Sequence, residues 1–393
     1  MSTKAFKIVQ PGMLTTVQDL GRLGYQRLGV PVAGAMDPFA LRVGNKLVGN
    51  PDGEAGVEIT FTGPTLGVLT DAIIAVTGAD LGARLNGAFM PMWQAVAVRA
   101  GDTLAFGGPK SGVRGYLCVA GGIDVPLVMG SRSTYLRSKI GGYQGRALKQ
   151  DDVLETGQPK ATPHVGAKLS QDLLPTYSSA VTLRVVLGPQ DDHFAERGLQ
   201  AFLYSEYTVT PQMDRMGIRL EGPNIIHKQK ADIISDGIAF GSVQVPGDGQ
   251  PIVMMADHQT TGGYTKIATV ISVDIPLMAQ AQPGDKVKFQ KVSVEDAQAL
   301  YRKREERLAQ PLALPKPVDY VTPKGGLRPP KAEPPPAPVV EKTDTDAIIV
   351  EHQGRRYAVS EKDGVYRINT HSGARPRRYR VTVEGQTYEV EIR

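Results

Sequence analysis

Three stretches of the sequence set arginine, aspartate, glutamine and threonine among closely spaced glycines. The first, Val17–Asn50, carries Gln18, Asp19, Arg22, Asp37 and Asn45. The second, Gly121–Asp152, carries Arg132, Ser133, Thr134, Arg137 and Arg146, and the third, Ser235–Val270, carries Asp236, Gln244, Asp257, Gln259, Thr260 and Thr261. Glycine permits tight turns and lets backbone N–H groups approach a ligand. A guanidinium is planar and permanently charged, which suits a carboxylate or phosphate. Glutamine and threonine offer both donors and acceptors, as recognition of an amide or urea-like group requires. The expected substrate-binding residues are therefore Gln18, Arg22, Arg132, Gln244, Gln259, Thr260 and Thr261. Asp236 and Asp257 are the expected catalytic acid–base or orienting groups.

Each of these residues also has a plainer reading. Arg22 and Asp19 can form a structural ion pair, and Arg132 and Arg137 can be exposed loop residues. Asp37 precedes Pro38 and reads as a helix cap. His258 reads as a surface residue, and Cys118, inside "YLCVAGGI", as an inert core thiol. Other chemistries find no motif. The six histidines lack metal-ligand spacing, and one cysteine excludes a disulfide framework and a thiolate cluster. There is no Gly-rich loop ending in Gly-Lys-Ser/Thr, no dinucleotide fingerprint and no G-x-S-x-G elbow. No metal site is expected.

The elements that must position these residues are short strands. "VEITF", "AIIAVTG", "AVAVRAGD", "TLRVVLGP", "PIVMMAD" and "ATVISVD" are β-branched runs separated by turn residues, a pattern of β-barrels or sandwiches. Helices are expected at "MDPFALRVGNKLVG", capped by Asp37, and at "SVEDAQALYRKREERLAQ", capped by Ser293 with Asp296 near a capping-box position. Two segment pairs hint at duplication: "RAGDTLAF" with "QPGDKVKF", and "GRLGYQ" with "DRMGIR". The expected boundaries are a first barrel over 1–165, a second over 175–292, a helix over 293–310, a proline-rich linker over 311–345 and a small β module over 346–393. In that module "YRVTVEGQTYEVEI" reads as a hairpin turning at "EGQ", which needs a partner to be stable.

The 393 residues, 41% hydrophobic and 22% charged, fit a globular chain of two or three domains. A formal charge of +5 is small for this length and suggests no nucleic-acid partner. No signal peptide is read before "MSTKAFKIVQPG" and no apolar run reaches membrane-spanning length, so a cytoplasmic location without membrane attachment is expected.

The three glycine–polar segments closely resemble the allophanate-hydrolase-subunit-2 family, over roughly Phe6 to Phe289. That family includes the C component of bacterial 5-oxoprolinase, Kip-type antagonists of a kinase inhibitor and the carboxyltransferase part of urea carboxylase. The resemblance implies an all-β fold of tandem cyclophilin-like β-barrels and a subunit-1-type partner, similar to KipI and to the B component of 5-oxoprolinase. It leaves three functions open. In the leading one the chain resembles the C component of 5-oxoprolinase and works within an ATP-dependent amidohydrolase. That complex opens 5-oxo-L-proline to L-glutamate, with ATP and Mg at the level of the complex and a LamB/YcsF-type protein as a further partner. The second is a biotin-dependent carboxyltransferase acting on urea or a related amide, with a biotin carboxylase and a biotinyl carrier. The third is a non-enzymatic, KipA-like binder of a kinase inhibitor. The terminal "YRVTVEGQTYEVEIR" resembles the lead-in to a biotinyl domain, but the Ala-Met-Lys-Met acceptor is missing, so biotin would have to come from a partner carrier.

Overall fold

The computed structural model describes residues 2–314 throughout, and beyond them the strands Val339–Lys342, Ile348–His352, Arg355–Lys362, Val365–Ile368, Arg377–Val383 and Gln386–Ile392. The chain divides into two units, Met1–Tyr320 and Val321–Arg393. The expected linker lies mostly outside the described residues. The short strands and few short helices are those of the all-β class read in the sequence.

The first half of the larger unit is built from two antiparallel sheets. One has six strands, ordered Val153–Thr156, Thr3–Gln10, Thr65–Val68, Thr103–Ala105, Arg84–Leu85 and Ala88–Phe89. The other has five, ordered Leu14–Gln18, Gly56–Thr60, Ser111–Val119, Ala72–Asp80 and Ala95–Val98. Alternate residues of both sheets, among them Phe6, Ile8, Val57, Ile59, Leu66, Val76, Leu104 and Leu117, form one buried cluster, as strand periodicity dictates. The helix Pro38–Leu47 packs Phe39, Leu41, Val43 and Leu47 into a second apolar cluster with Ala75, Tyr116 and Cys118. Asp37 caps this helix, accepting from the Ala40 N–H at 2.9 Å, with Pro38 at its first position. Burial pushes the Cys118 thiol up, in keeping with an inert core residue.

The second half is a closed seven-strand barrel. Its order runs Ala180–Leu187, Lys266–Val270, Ser242–Gln244, Ile252–Met254, Gly217–Glu221, Tyr207–Met213 and Lys286–Lys291, the last pairing in parallel with the first. Its core includes Leu183, Val209, Ile218, Val243, Val253, Ile267 and Val287, with Phe202 stacked on Phe289 at 4.3 Å. Met36 of the first half is buried within this second core, so the halves share apolar contact. Ser293 caps the helix Val294–Ala309, accepting from the Asp296 N–H at 3.0 Å. Among the described residues no helix is long and apolar enough to cross a membrane.

The duplication seen in the sequence is carried by matching turns. Asp102 accepts from the Arg99 N–H at 2.7 Å, and Asp285 from the Gln282 N–H at 2.9 Å. Gly101 and Gly284 precede these aspartates at φ 92° and 96°, a backbone region that favours glycine.

The smaller unit is a six-stranded sheet that begins at Val339–Lys342, within the segment read as linker. Arg377–Val383 and Gln386–Ile392 pair as the expected hairpin, with Val383 opposite Gln386 and Val381 opposite Tyr388. Parallel pairing of Gln386–Ile392 with Val365–Ile368 supplies the partner that an isolated hairpin lacks.

Candidate functional site

The junction of the two halves holds a network of buried polar groups. Arg215 leaves the turn before Gly217–Glu221 and bonds Asp257 through both Nε (3.1 Å) and Nη2 (2.8 Å). It also reaches the first half, donating to Glu58 through Nη1 and to the Gly34 carbonyl at 2.6 Å. Glu58 in turn accepts from the Tyr116 hydroxyl at 2.7 Å and from the Met36 N–H at 2.9 Å. Burial opposes the Arg215 cation, but Asp257 and Glu58 more than offset it and raise its pKa. Asp257 is 4% exposed, and burial pushes its carboxyl up against the pull of Arg215.

Four further side chains carry polar atoms that are not all satisfied. Among the described residues, buried atoms without a partner include Gln18 Oε1, Arg22 Nε and Nη1, Gln244 Nε2 and Gln259 Oε1. All four residues are among those expected in the site from the sequence. Gln18 is anchored by its Nε2 on Thr16 Oγ1 (3.0 Å) and the Thr134 carbonyl (3.2 Å). Arg22 is fully buried, donates from Nη2 to the Ser133 carbonyl at 2.5 Å, and forms no ion pair within 4 Å among the described residues. Gly141 makes this position possible, since a Cβ there would strike the Ser133 carbonyl and Arg22 Nη2. Burial lowers the Arg22 pKa, while Asp19 and Asp257 act in the opposite sense from nearby. Gln244 and Gln259 converge at Gly262, where an added Cβ would lie 2.8 Å from Gln244 Nε2 and 3.4 Å from Gln259 Nε2.

Buried polar atoms are nearly always hydrogen-bonded, and an uncompensated buried cation is costly. The orphaned donors (Arg22, Gln244) and acceptors (Gln18, Gln259) are therefore candidates for completion by a ligand. Their chemistry fits a planar amide whose oxygen carries or gains negative charge.

Other expected residues have different work. Asp19 does not pair with Arg22. Its carboxylate accepts from Ser131 Oγ (2.7 Å), Ser133 Oγ (2.5 Å), the Gly21 N–H (2.7 Å) and the Arg132 N–H (2.5 Å), fastening the 131–134 loop beneath the site. Arg132 contributes that backbone N–H, but its guanidinium turns to the Val125 carbonyl (3.0 Å) and Asp124 (3.4 Å). Asp236 stands at the edge of the group, opposite Gly262, exposed and bonded to Lys266 Nζ at 2.9 Å. The Lys266 bond holds its carboxyl below the usual range, which makes it a poor base. Thr260 is half-buried and its carbonyl accepts from the Ile238 N–H at 3.0 Å; Thr261 is exposed and pairs with Gly237.

His258 is not a surface residue: it is 5% exposed and lies between Asp257 and Gln259. Its Nδ1 meets the Gln259 carbonyl at 2.7 Å. A carbonyl only accepts, so Nδ1 carries the proton and Nε2 the lone pair. Burial lowers its pKa, keeping the ring neutral. The signal available in the sequence is its position inside "MMADHQTTGG", flanked by two candidate residues.

Comparison with known proteins shows relatives of the chain. The family model described as carboxyltransferase domain, subdomain A and B, matches residues 28–291. The chain is 41% identical over 292 residues to the C component of 5-oxoprolinase from Escherichia coli, covering 74% of this chain and 92% of that one. It is 40% identical over 295 residues to the C component of 5-oxoprolinase from Haemophilus influenzae, covering 75% and 94%. Among solved structures it is similar to the urea amidolyase of K. lactis, with TM-score 0.75 and 31% identity over 90% of this chain. The chain spans only 22% of that amidolyase.

Proposed function

Because the chain belongs to the carboxyltransferase-domain family, with subdomains A and B, we propose that it serves as the C-type component of an ATP-dependent 5-oxoprolinase. The observation that carries this reading is the buried Arg22, unpaired with any carboxylate, beside glutamines with one orphaned donor and two orphaned acceptors. A lactam presents an N–H donor and a carbonyl acceptor in one plane, so it answers both kinds of orphan. Near-full-length similarity to two proteins named as the C component of 5-oxoprolinase favours the lactam over other amides.

In this reading Gln18 and Gln259 orient the lactam N–H, and Gln244 and Arg22 hold the carbonyl oxygen as charge gathers there. Asp257 is committed to Arg215 and positions the loop that bears His258 and Gln259. His258, neutral with Nε2 free to accept, is suited to take a proton from attacking water. ATP supplies activation of the lactam oxygen. Among the described residues no three His, Cys, Asp or Glu side chains gather to hold a metal. The sequence also lacks a phosphate-binding loop, so nucleotide and Mg are assigned to the partner proteins. A carboxyltransferase role is the second reading, favoured by similarity to the urea amidolyase over 90% of the chain, which extends into the smaller unit.

The deciding experiment is to purify the chain with its subunit-1-type partner and follow ADP and glutamate. Stoichiometric release of both with 5-oxo-L-proline is expected. Bicarbonate- and biotin-dependent consumption of urea instead, with no response to 5-oxoproline, would replace the first reading by the second.

A further inference from the structure

A cavity of about 200 Å³ opens against the Arg215–Asp257 pair. Arg114, Arg137 and Arg215 line it, together with Met13, Phe61 and Met216. Arg215 is consumed by Asp257 and Glu58. The two carboxylates on the wall are also engaged, because Asp214 accepts from the Met216 and Gly217 N–H groups of its own turn and Asp257 holds Arg215.

Arg114 differs from these. It is 2% exposed on the strand Ser111–Val119 and donates to the Ala279 carbonyl through Nη1. Its Nε has no partner, and among the described residues no carboxylate lies within ion-pair distance. Arg137, exposed on the short helical turn Leu136–Ser138, likewise has no ion-pair partner among the described residues. Arg114, buried, and Arg137, exposed, thus line a small space with methionine and phenylalanine walls. A buried guanidinium without a counter-ion is costly unless an anion completes it. The volume is below the roughly 300–1,000 Å³ of drug-sized sites, so the occupant is a small ring or short chain.

We infer that this cavity is a binding site for a small monocarboxylate with an apolar body, its carboxylate held between Arg114 and Arg137. Met13, Phe61 and Met216 pack against the body. The identity of the ligand rests on the reading above: Asp257 lines this cavity and acts on Arg22 from nearby, so the carboxylate end of 5-oxoproline would enter here while its lactam meets Arg22 and the glutamines; the carboxylate site itself does not rest on that reading.

The test uses the full chain and three probes in calorimetric and ligand-observed NMR titrations. Cyclopentanecarboxylate has the ring and carboxylate without a lactam, 2-pyrrolidinone has the lactam without a carboxylate, and 5-oxo-L-proline has both. Cyclopentanecarboxylate and 5-oxoproline are expected to compete for one site. Arg137→Glu should weaken both by about tenfold or more, and Arg137→Lys should restore part of the loss, in keeping with a charge-assisted contact. Arg137 is exposed, so both variants should melt with wild type. Arg114→Met should abolish binding if it folds. Cyclopentanecarboxylate binding unaffected by Arg137→Glu, or no binding of it at all, overturns the inference. Arg137-dependent binding in a complex that forms no glutamate leaves the carboxylate site standing and removes the 5-oxoproline reading. Glutamate formation with binding and KM indifferent to Arg137→Glu does the reverse.

Discussion

Arg215→Met tests how the two halves are joined. The substitution keeps much of the side-chain volume but removes the cation that holds Asp257 by two bonds and Glu58 and Gly34 by one each. Glu58 is 1% exposed and Asp257 4%, so neither carboxylate can recover water without opening the junction. Removing one partner of a buried ion pair typically costs about 3–5 kcal/mol, because an uncompensated charge remains. At about 2 °C per kcal/mol for a chain of this size, the melt should fall by about 6–10 °C at pH 7. The loss should shrink as pH falls. Without Arg215, burial pushes the Asp257 carboxyl further up, so the folded state takes up a proton before the unfolded state does. Stability of the variant relative to wild type therefore rises on acidification through that raised pKa. Replacing all three groups, as Arg215→Met with Glu58→Gln and Asp257→Asn, should recover much of the loss. Thermal melts of the three proteins at pH 5 and pH 7 are the assay. A shift of less than about 2 °C for Arg215→Met, with no pH dependence, would refute a buried, load-sharing network at the junction.

Three further outcomes follow from the same geometry. His227 and His258 have pKa values lowered by burial from the usual 6.5, so below that pH the unfolded state binds more protons. Their contribution is present above pH 6.5 and lost as pH falls through the folded values; in urea titrations from pH 7.5 to 5, His227→Gln with His258→Asn should flatten the slope relative to wild type, and an unchanged slope would contradict their burial as neutral rings. Asp19→Ala strands two hydroxyls and two N–H groups, at about 1–3 kcal/mol for each group left buried and unpaired, so exchange of the Gly21 and Arg132 amides should accelerate; wild-type protection would show that the 131–134 loop is held by other contacts. Arg132→Ala removes a guanidinium turned toward Val125 and Asp124, so turnover of the complex should change by no more than about threefold, and a much larger loss measured at steady state would return that side chain to the site.

The frame is legible in the sequence because strand and cap signals are local. Asp37 before Pro38 and Ser293 before Glu295 and Asp296 both cap as read. The Gly-Asp pairs that suggest duplication close the same turn in each half. The family resemblance read from the three glycine–polar segments is borne out by the match over residues 28–291. The same segments bring Gln18, Arg22, Gln244 and Gln259 to attention. Polar density in a segment does not reveal where a side chain points, so Arg132 and Asp236 cannot be told apart from them. Arg132 frames the loop with its backbone, and Asp236 is drawn to Lys266 from the other side of a strand pair. His258 reads as exposed because its neighbours are polar, whereas they line an interior junction. Glu58 and Arg114 have no motif at all, and Arg215 stands out only through "DRMGIR", the repeat partner of the segment that holds Arg22. They sit in or next to ordinary strands, and only the meeting of two halves gives them partners or leaves them without one.

If Arg22 is a buried cation without an ion pair, kept for a ligand, one paired measurement on Arg22→Met shows it. A structural arginine should cost stability when removed. A cation awaiting an anion should cost little or nothing, since its burial is itself unfavourable and only the Ser133 carbonyl loses a donor. Loss of a desolvated charged contact to the reacting ligand costs about 2–5 kcal/mol, which at about 1.4 kcal/mol per tenfold is at least a thirtyfold fall in kcat/KM. Melting of the isolated chain and 5-oxoproline-dependent ADP release by the reconstituted complex should be measured on the same preparation. An unchanged or higher Tm with turnover reduced at least about thirtyfold is expected. A lowered Tm with turnover intact would contradict that role.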